Sequence, residues 1–135
     1  GFNTARVKLM GGMFDGCDSL LELDLSNFNT VNVSNMGSMF SGCASLTRLD
    51  LSSFHTPNLT YTSRMFTGCR ALIELDISGL DTSKVTSTSY MFMDCEALME
   101  LDLSHFDMSS VSGDYCTNKM FYNCPAGREW KHLEK

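Results

Sequence analysis

The stretch that decides the fold is Met39-Phe40-Ser41-Gly42-Cys43-Ala44-Ser45-Leu46-Thr47-Arg48-Leu49-Asp50-Leu51-Ser52-Ser53-Phe54-His55-Thr56. Its two halves carry different periods. In Leu49-Asp50-Leu51 an acid separates two apolar residues, the period of two of a strand with one face inward. In Met39-Phe40-x-x-Cys43-x-x-Leu46 the apolar residues recur at three and four, the spacing of a short helical turn. Gly42 stands where such a turn would end or tighten.

The stretch recurs. Met-Phe-x-x-Cys appears at Met13-Phe14…Cys17, Met39-Phe40…Cys43, Met65-Phe66…Cys69, Met91-Phe92…Cys95 and Met120-Phe121…Cys124, in steps of 26, 26, 26 and 29. Leu-x-x-Leu-Asp-[Leu/Ile]-Ser follows the first four cysteines at Leu20–Ser26, Leu46–Ser52, Leu72–Ser78 and Leu98–Ser104. Two residues past each serine sits Phe28, Phe54, Leu80 or Phe106, and five further on Val33, Leu59, Val85 or Val111. A step of 26 is too long for a hairpin, so equivalent strands are expected to stack in parallel as the chain returns to its own start. The expected architecture is an α/β repeat solenoid, with a parallel sheet on one face and short helices or irregular turns on the other. Serine, threonine and asparagine crowd the arc between the two, where their side chains suit hydrogen bonds to neighbouring backbone. One 26-residue unit buries too little to stand alone, so stability must come from unit-to-unit stacking.

The organisation expected is a single domain, 1–135. It holds a partial N-terminal repeat at 1–19, repeats at 20–45, 46–71, 72–97 and 98–124, and a degenerate cap at 125–135. Phe2, Asn3, Thr4, Val7, Met10 and Met13 already match Phe28, Asn29, Thr30, Val33, Met36 and Met39, as in a piece of a longer array. The last unit carries a three-residue insertion near Ser112–Lys119, which holds Cys116. Beyond Cys124 the pattern decays: Gly127, Trp130 and His132 take the leucine phases, and the charged tail 128–135 reads as a degenerate capping strand.

These residues resemble the repeat of BspA-like leucine-rich-repeat surface proteins, over nearly the whole of Phe2–Cys124. The resemblance implies a leucine-rich-repeat-like fold in a cell-surface or secreted protein, often associated with adhesion. The chain departs from the pattern at Ile77, Leu80, Met108 and the insertion after Val111.

Charge narrows the function classes. Ten Lys+Arg against sixteen Asp+Glu give a net −6, which argues against nucleic acid as a partner. No apolar run reaches the roughly 18 residues of a membrane-spanning helix, so no direct membrane insertion is expected. No nucleophile-and-base arrangement or phosphate loop suggests an enzyme, and no cofactor is called for. What remains is a protein-interaction or adhesion module with a protein or host-surface ligand, or a structural spacer with no ligand of its own.

The candidate interaction face comprises outward columns. Asp24, Asp50, Asp76 and Asp102 form one, and Glu22, Arg48, Glu74 and Glu100 run beside it. Asn29, His55, Asp81 and Asp107 share a third phase, variable among fixed neighbours. Carboxylates stacked ~4.8 Å apart should repel and raise one another's pKa, unless serine hydroxyls, backbone amides or Arg48 compensate. Calcium needs about six to eight oxygens in one place, and a regular column spreads them, so no metal site is expected. The in-phase cysteines read as a ladder of buried free thiols; a Cys116–Cys124 disulfide is the alternative for that pair. His55, His105 and His132 fall in different phases and suggest no catalytic arrangement. The sequons at Asn32 and Asn58 follow from the repeat.

Overall fold

The computed structural model describes residues 3–113, 116–128 and 130. Phe2, and residues 129 and 131–135 of the tail with His132 among them, lie outside the described residues. Successive repeats lie side by side, joined by backbone bonds between equivalent positions. The N–H groups of Met36, Ser38, Phe40 and Gly42 donate to the carbonyls of Tyr61, Ser63, Met65 and Thr67 at 2.8–3.0 Å. The same donors recur one unit earlier, from Met10, Gly12, Phe14 and Gly16 to Asn35, Gly37, Met39 and Ser41. They recur again from Thr88, Tyr90, Phe92 and Asp94 to Cys116, Asn118, Met120 and Tyr122. In this last set the insertion is absorbed before Cys116, and the pairing resumes in phase. A parallel bridge column, Leu9–Asn35–Tyr61–Ser87, runs through the same units.

This bonding explains why the Met-Phe-x-x-Cys segment is a run of turns. Among the described residues it forms no α-helix. Only alternate N–H groups point back along the chain: Met39 to Met36, Ser41 to Ser38 and Cys43 to Phe40, each three residues back at 3.1–3.2 Å. The intervening donors turn outward to the next unit. A helix would consume every N–H internally, so its spacing is present but its bonding is not. The alternation needs two left-handed residues per unit, four apart. They are Ser38 with Gly42, Arg64 with Gly68, Tyr90 with Asp94, and Lys119 with Asn123. Glycine meets that conformation without strain at 42 and 68, whereas Arg64 and Tyr90 pay about 1–2 kcal/mol for it.

Inside, the phenylalanines of the motif form one stack. Phe14, Phe40, Phe66, Phe92 and Phe121 lie with adjacent ring centroids 5.0–5.7 Å apart and planes within 9°. The motif methionines and cysteines surround it, and Met39, Met65, Met91, Cys43, Cys69 and Cys95 are fully buried. A second ladder is made of buried threonines. The Thr30 hydroxyl donates to His55 O at 2.9 Å and accepts from the His55 N–H at 3.0 Å. Thr4 with Asn29 and Thr82 with Asp107 repeat this exchange. Met108 ends the threonine column, having no hydroxyl to give.

The sheet is smaller than the four expected strands. β1 (Arg48–Asp50) pairs in parallel with β2 (Glu74–Asp76), Leu49 opposite Leu75. The equivalent segments at 22–24 and 100–102 keep the alternation but are not assigned as strands. Gly79 marks the pair that does form strands. It lies against the turn of the preceding unit, where a Cβ would sit 2.4 Å from Leu51 O and 2.5 Å from Phe54 O. With no side chain there, Leu51 N–H reaches Asp76 O at 2.8 Å. The same position holds Ser53 in one neighbouring unit and His105 in the other. Among the described residues, no bond from Leu25 N–H to Asp50 O or from Ile77 N–H to Asp102 O is made.

At the C-terminal end, Pro125–Gly127 form a single 3-10 turn; the strand positions of the expected cap, around 129–132, fall largely outside the described residues. Pro125 has no N–H for a ladder and its fixed φ suits the turn. Ala126 N–H bonds Leu98 O at 2.9 Å, and Trp130 packs edge-on to Phe106, centroids 6.2 Å apart.

Gly79→Ala should therefore lower stability by about 1–3 kcal/mol through overpacking and open the β1–β2 pair. Thermal unfolding followed by circular dichroism reads the first effect, and amide exchange at Leu51 the second. An unchanged melting temperature would remove Gly79 from this role.

Candidate functional site

All twelve residues of the expected face are exposed: Glu22, Asp24, Arg48, Asp50, Glu74, Asp76, Glu100, Asp102, Asn29, His55, Asp81 and Asp107. Their backbone alternation places them there, since Leu25, Leu49, Leu51 and Ile77 turn inward and are at most 4% exposed. An open groove of about 560 Å³ lies over the middle of the face, between Arg48–Asp50, Ile73–Asp76 and Glu100–Asp102. The structure thus brings the Arg48, Glu74 and Glu100 column together with Asp50, Asp76 and Asp102. Glu22 and Asp50 meet in a separate depression with Leu21 and Thr47. His55, Asp81 and Asp107 line neither.

Asp24, Asp50 and Asp102 are held below the ordinary carboxylate value, chiefly by the hydroxyl and then the amide of the serine two residues on. The amide bonds are 2.8–2.9 Å, from Ser26, Ser52 and Ser104. Asp76 accepts both the amide and the hydroxyl of Ser78, at 2.9 and 2.6 Å. Each Asp-x-Ser of the repeat is therefore a turn closed on its own carboxylate. The third column does the same work. Asn29 accepts the Val31 amide at 3.1 Å, Asp81 the Ser83 amide at 3.0 Å and Asp107 the Ser109 amide at 2.9 Å. Asp81 and Asp107 are likewise held down, by Ser83 and Ser109. His55 alone in that column closes no such turn in its own side chain's name; its backbone is held by Thr30.

Arg48 pairs with Glu74 at 3.3 Å, but both side chains are more than half exposed, so the pair adds little stability. Its consequence is chemical: among the described residues, the one cation lining the groove is already engaged. The sequence reading passed over an apolar column beside the acids. Leu21, Ile73 and Met99 are 68%, 59% and 60% exposed, with Thr47 in the same phase. The signal was available, because the second position of Leu-x-x-Leu is apolar in three of four units. Also unforeseen is a polar patch of the turns, where the Arg64 guanidinium lies 4.2 Å over the Tyr90 ring and Arg70 reaches Glu96 at 2.6 Å.

All six cysteines are free thiols, Cys116 and Cys124 included. The buried ones act as donors. Cys43, Cys69 and Cys95 Sγ lie 3.3, 3.2 and 3.1 Å from the carbonyls of Phe14, Phe40 and Phe66 in the preceding unit. Burial, with the neighbouring cysteines, pushes the Cys43 thiol up to about 12. Cys95 is raised by its contact with Cys69 and by burial. Such thiols are poor nucleophiles. Among the described residues no group of three or more His, Cys, Asp or Glu is placed to hold a metal ion. No helix among them is long and apolar enough to cross a membrane. Asn32 and Asn58, the sequon asparagines, donate to Ala5 O and Val31 O of the preceding unit at 2.6 and 2.9 Å, so the repeat itself uses their amides.

The family described as "Mycoplasma protein of unknown function, DUF285" matches residues 1–74 and, overlapping, 50–129. No curated protein and no solved structure matches the chain.

Two outcomes follow for this surface and its core. The depressed carboxylates contribute stability that is full above the unfolded value of about 3.9 and is lost as pH falls through their lower folded values. Melting temperature should thus drop on acidification below about pH 4. A variant with Asp24, Asp50 and Asp102 changed to Asn, which keeps the turns without titrating, should show a flatter acid limb. Thiol titration should count six on denaturation, with Cys43, Cys69 and Cys95 silent in the native protein; a count of four would mean a disulfide.

Proposed function

The chain belongs to this Mycoplasma family of unknown function, DUF285, and we propose that within it the chain is a non-catalytic binding segment of a cell-surface or secreted repeat protein. The fold proposed is a leucine-rich-repeat-like solenoid akin to the BspA-like proteins, turns replacing helices on the side opposite β1 and β2. The ligand, a protein or host-surface molecule, is taken on the outward strand face. One observation carries the reading: an open groove lies over exposed Glu74, Asp76, Glu100 and Asp102, with Ile73 beside them. Exposed apolar side chains bordering charged ones are a usual composition for a protein-binding surface.

A spacer role has its own support. Every aspartate of the face closes a turn on a serine, so the acids have a structural use without any ligand. Glu74 and Glu100 are not accounted for in that way, and they favour binding.

The test is attachment by the full-length protein displayed on cells. Glu74→Lys with Asp76→Lys should abolish or strongly reduce it, with the melting temperature lowered only modestly. Undiminished attachment by a folded variant would overturn the binding role of this face and leave the spacer.

A further inference from the structure

The groove has a deeper end. Between the units of Leu72 and Leu98 a second cavity, of about 220 Å³, shares Leu75, Asp76 and Asp102 with it. One departure from the repeat and one position that varies from unit to unit shape it. Leu80 stands where Phe28, Phe54 and Phe106 stand in other units, and it lines the cavity wall. His105 stands where Gly79 lets the preceding pair of units close, and no Ile77–Asp102 backbone bond draws the chain together here. The floor is apolar, from Leu75, Ile77, Leu80 and Phe106, and the mouth carries Asp76 and Asp102. Among the described residues no lysine or arginine lines it, and Ser78 and His105 complete the lining.

We propose that this cavity is a specificity pocket for a lysine side chain of a partner polypeptide lying extended in the groove. The proposal rests on the binding role of the strand face and names the chemistry read there. Size points to one side chain, since pockets for whole small molecules run from about 300 to 1,000 Å³. Polarity points to lysine, whose alkyl stem lies along apolar surface while its ammonium stays at the wet, charged end. An acidic side chain would meet two carboxylates at the mouth. A purely apolar one would leave them without a counter-charge. Arginine's rigid fork seeks a bidentate carboxylate, and here each carboxylate already accepts its own serine amide.

The probe is Nα-acetyl-lysine methylamide, titrated into the 135-residue protein and followed by amide NMR shifts. Saturable shifts should centre on Leu75–Leu80 and Asp102–Phe106. The norleucine analogue, which has the stem without the charge, should bind roughly tenfold more weakly, and so should the native probe to Asp102→Asn. Leu80→Phe fills the cavity with the ring that the other units carry, and should lose the shifts while keeping the native melting temperature or raising it. His105→Gly closes the gap from the other side and should lose them too. Absence of shifts at these amides, or equal binding by Leu80→Phe or by the norleucine analogue, would overturn the lysine assignment. That failure is distinct from failure of the binding face, which is read from attachment of the Glu74→Lys, Asp76→Lys protein.

Discussion

The structure depends on an alternation in where backbone N–H groups point. Through each Met-Phe-x-x-Cys segment, one donor folds back three residues and the next reaches the following unit. Both halves are required. The inward bonds curve the chain into a tight turn, and the outward ones bind that turn to its neighbour. A buried N–H left unmade costs more than a made bond contributes, so the end of a unit is satisfied only by another unit of the same shape.

Side chains extend this logic where the backbone pairing lapses. Thr4, Thr30 and Thr82, all buried, take the place of a peptide group, each giving and receiving one bond across the step of 25 residues. The cysteines add weak S–H donors to carbonyls that already accept an amide, as Phe40 O does from Cys43 N and Cys69 Sγ. The threonines cannot be replaced by an apolar side chain of like size without orphaning a neighbouring backbone N–H, whereas the carbonyls bonded by the cysteines keep their amide donors. The high cysteine content is thus a property of the stack. The stacked rings and methionines supply the burial, and the polar ladders fix the register between units.

The outward face has been simplified by the same economy. Most of its acids are turn-closing residues first, held ionised by the next serine but one. What distinguishes the deeper end of the groove is Leu80 in place of the phenylalanine of the other units, with His105 at a position that differs in every unit. In this repeat the regular positions serve the stack, and Leu80, which breaks the pattern, leaves space beside it.

The sequence by itself determined the period, the inward set and the exposed columns. These follow from alternation and spacing, which every unit states again. It also held the Asp-x-Ser turns in plain view, since both partners lie two residues apart. Tertiary structure decided what the Met-Phe-x-x-Cys spacing would become, because a period near 3.6 fixes which side chains are buried but not where the N–H groups go. It likewise decided which strands pair. Where β1 and β2 pair, Gly79 lies against the carbonyls of Leu51 and Phe54, a contact between residues about 25 apart that no local pattern records. The cavity at Leu80 and His105 is of the same kind, arising from how closely two units approach.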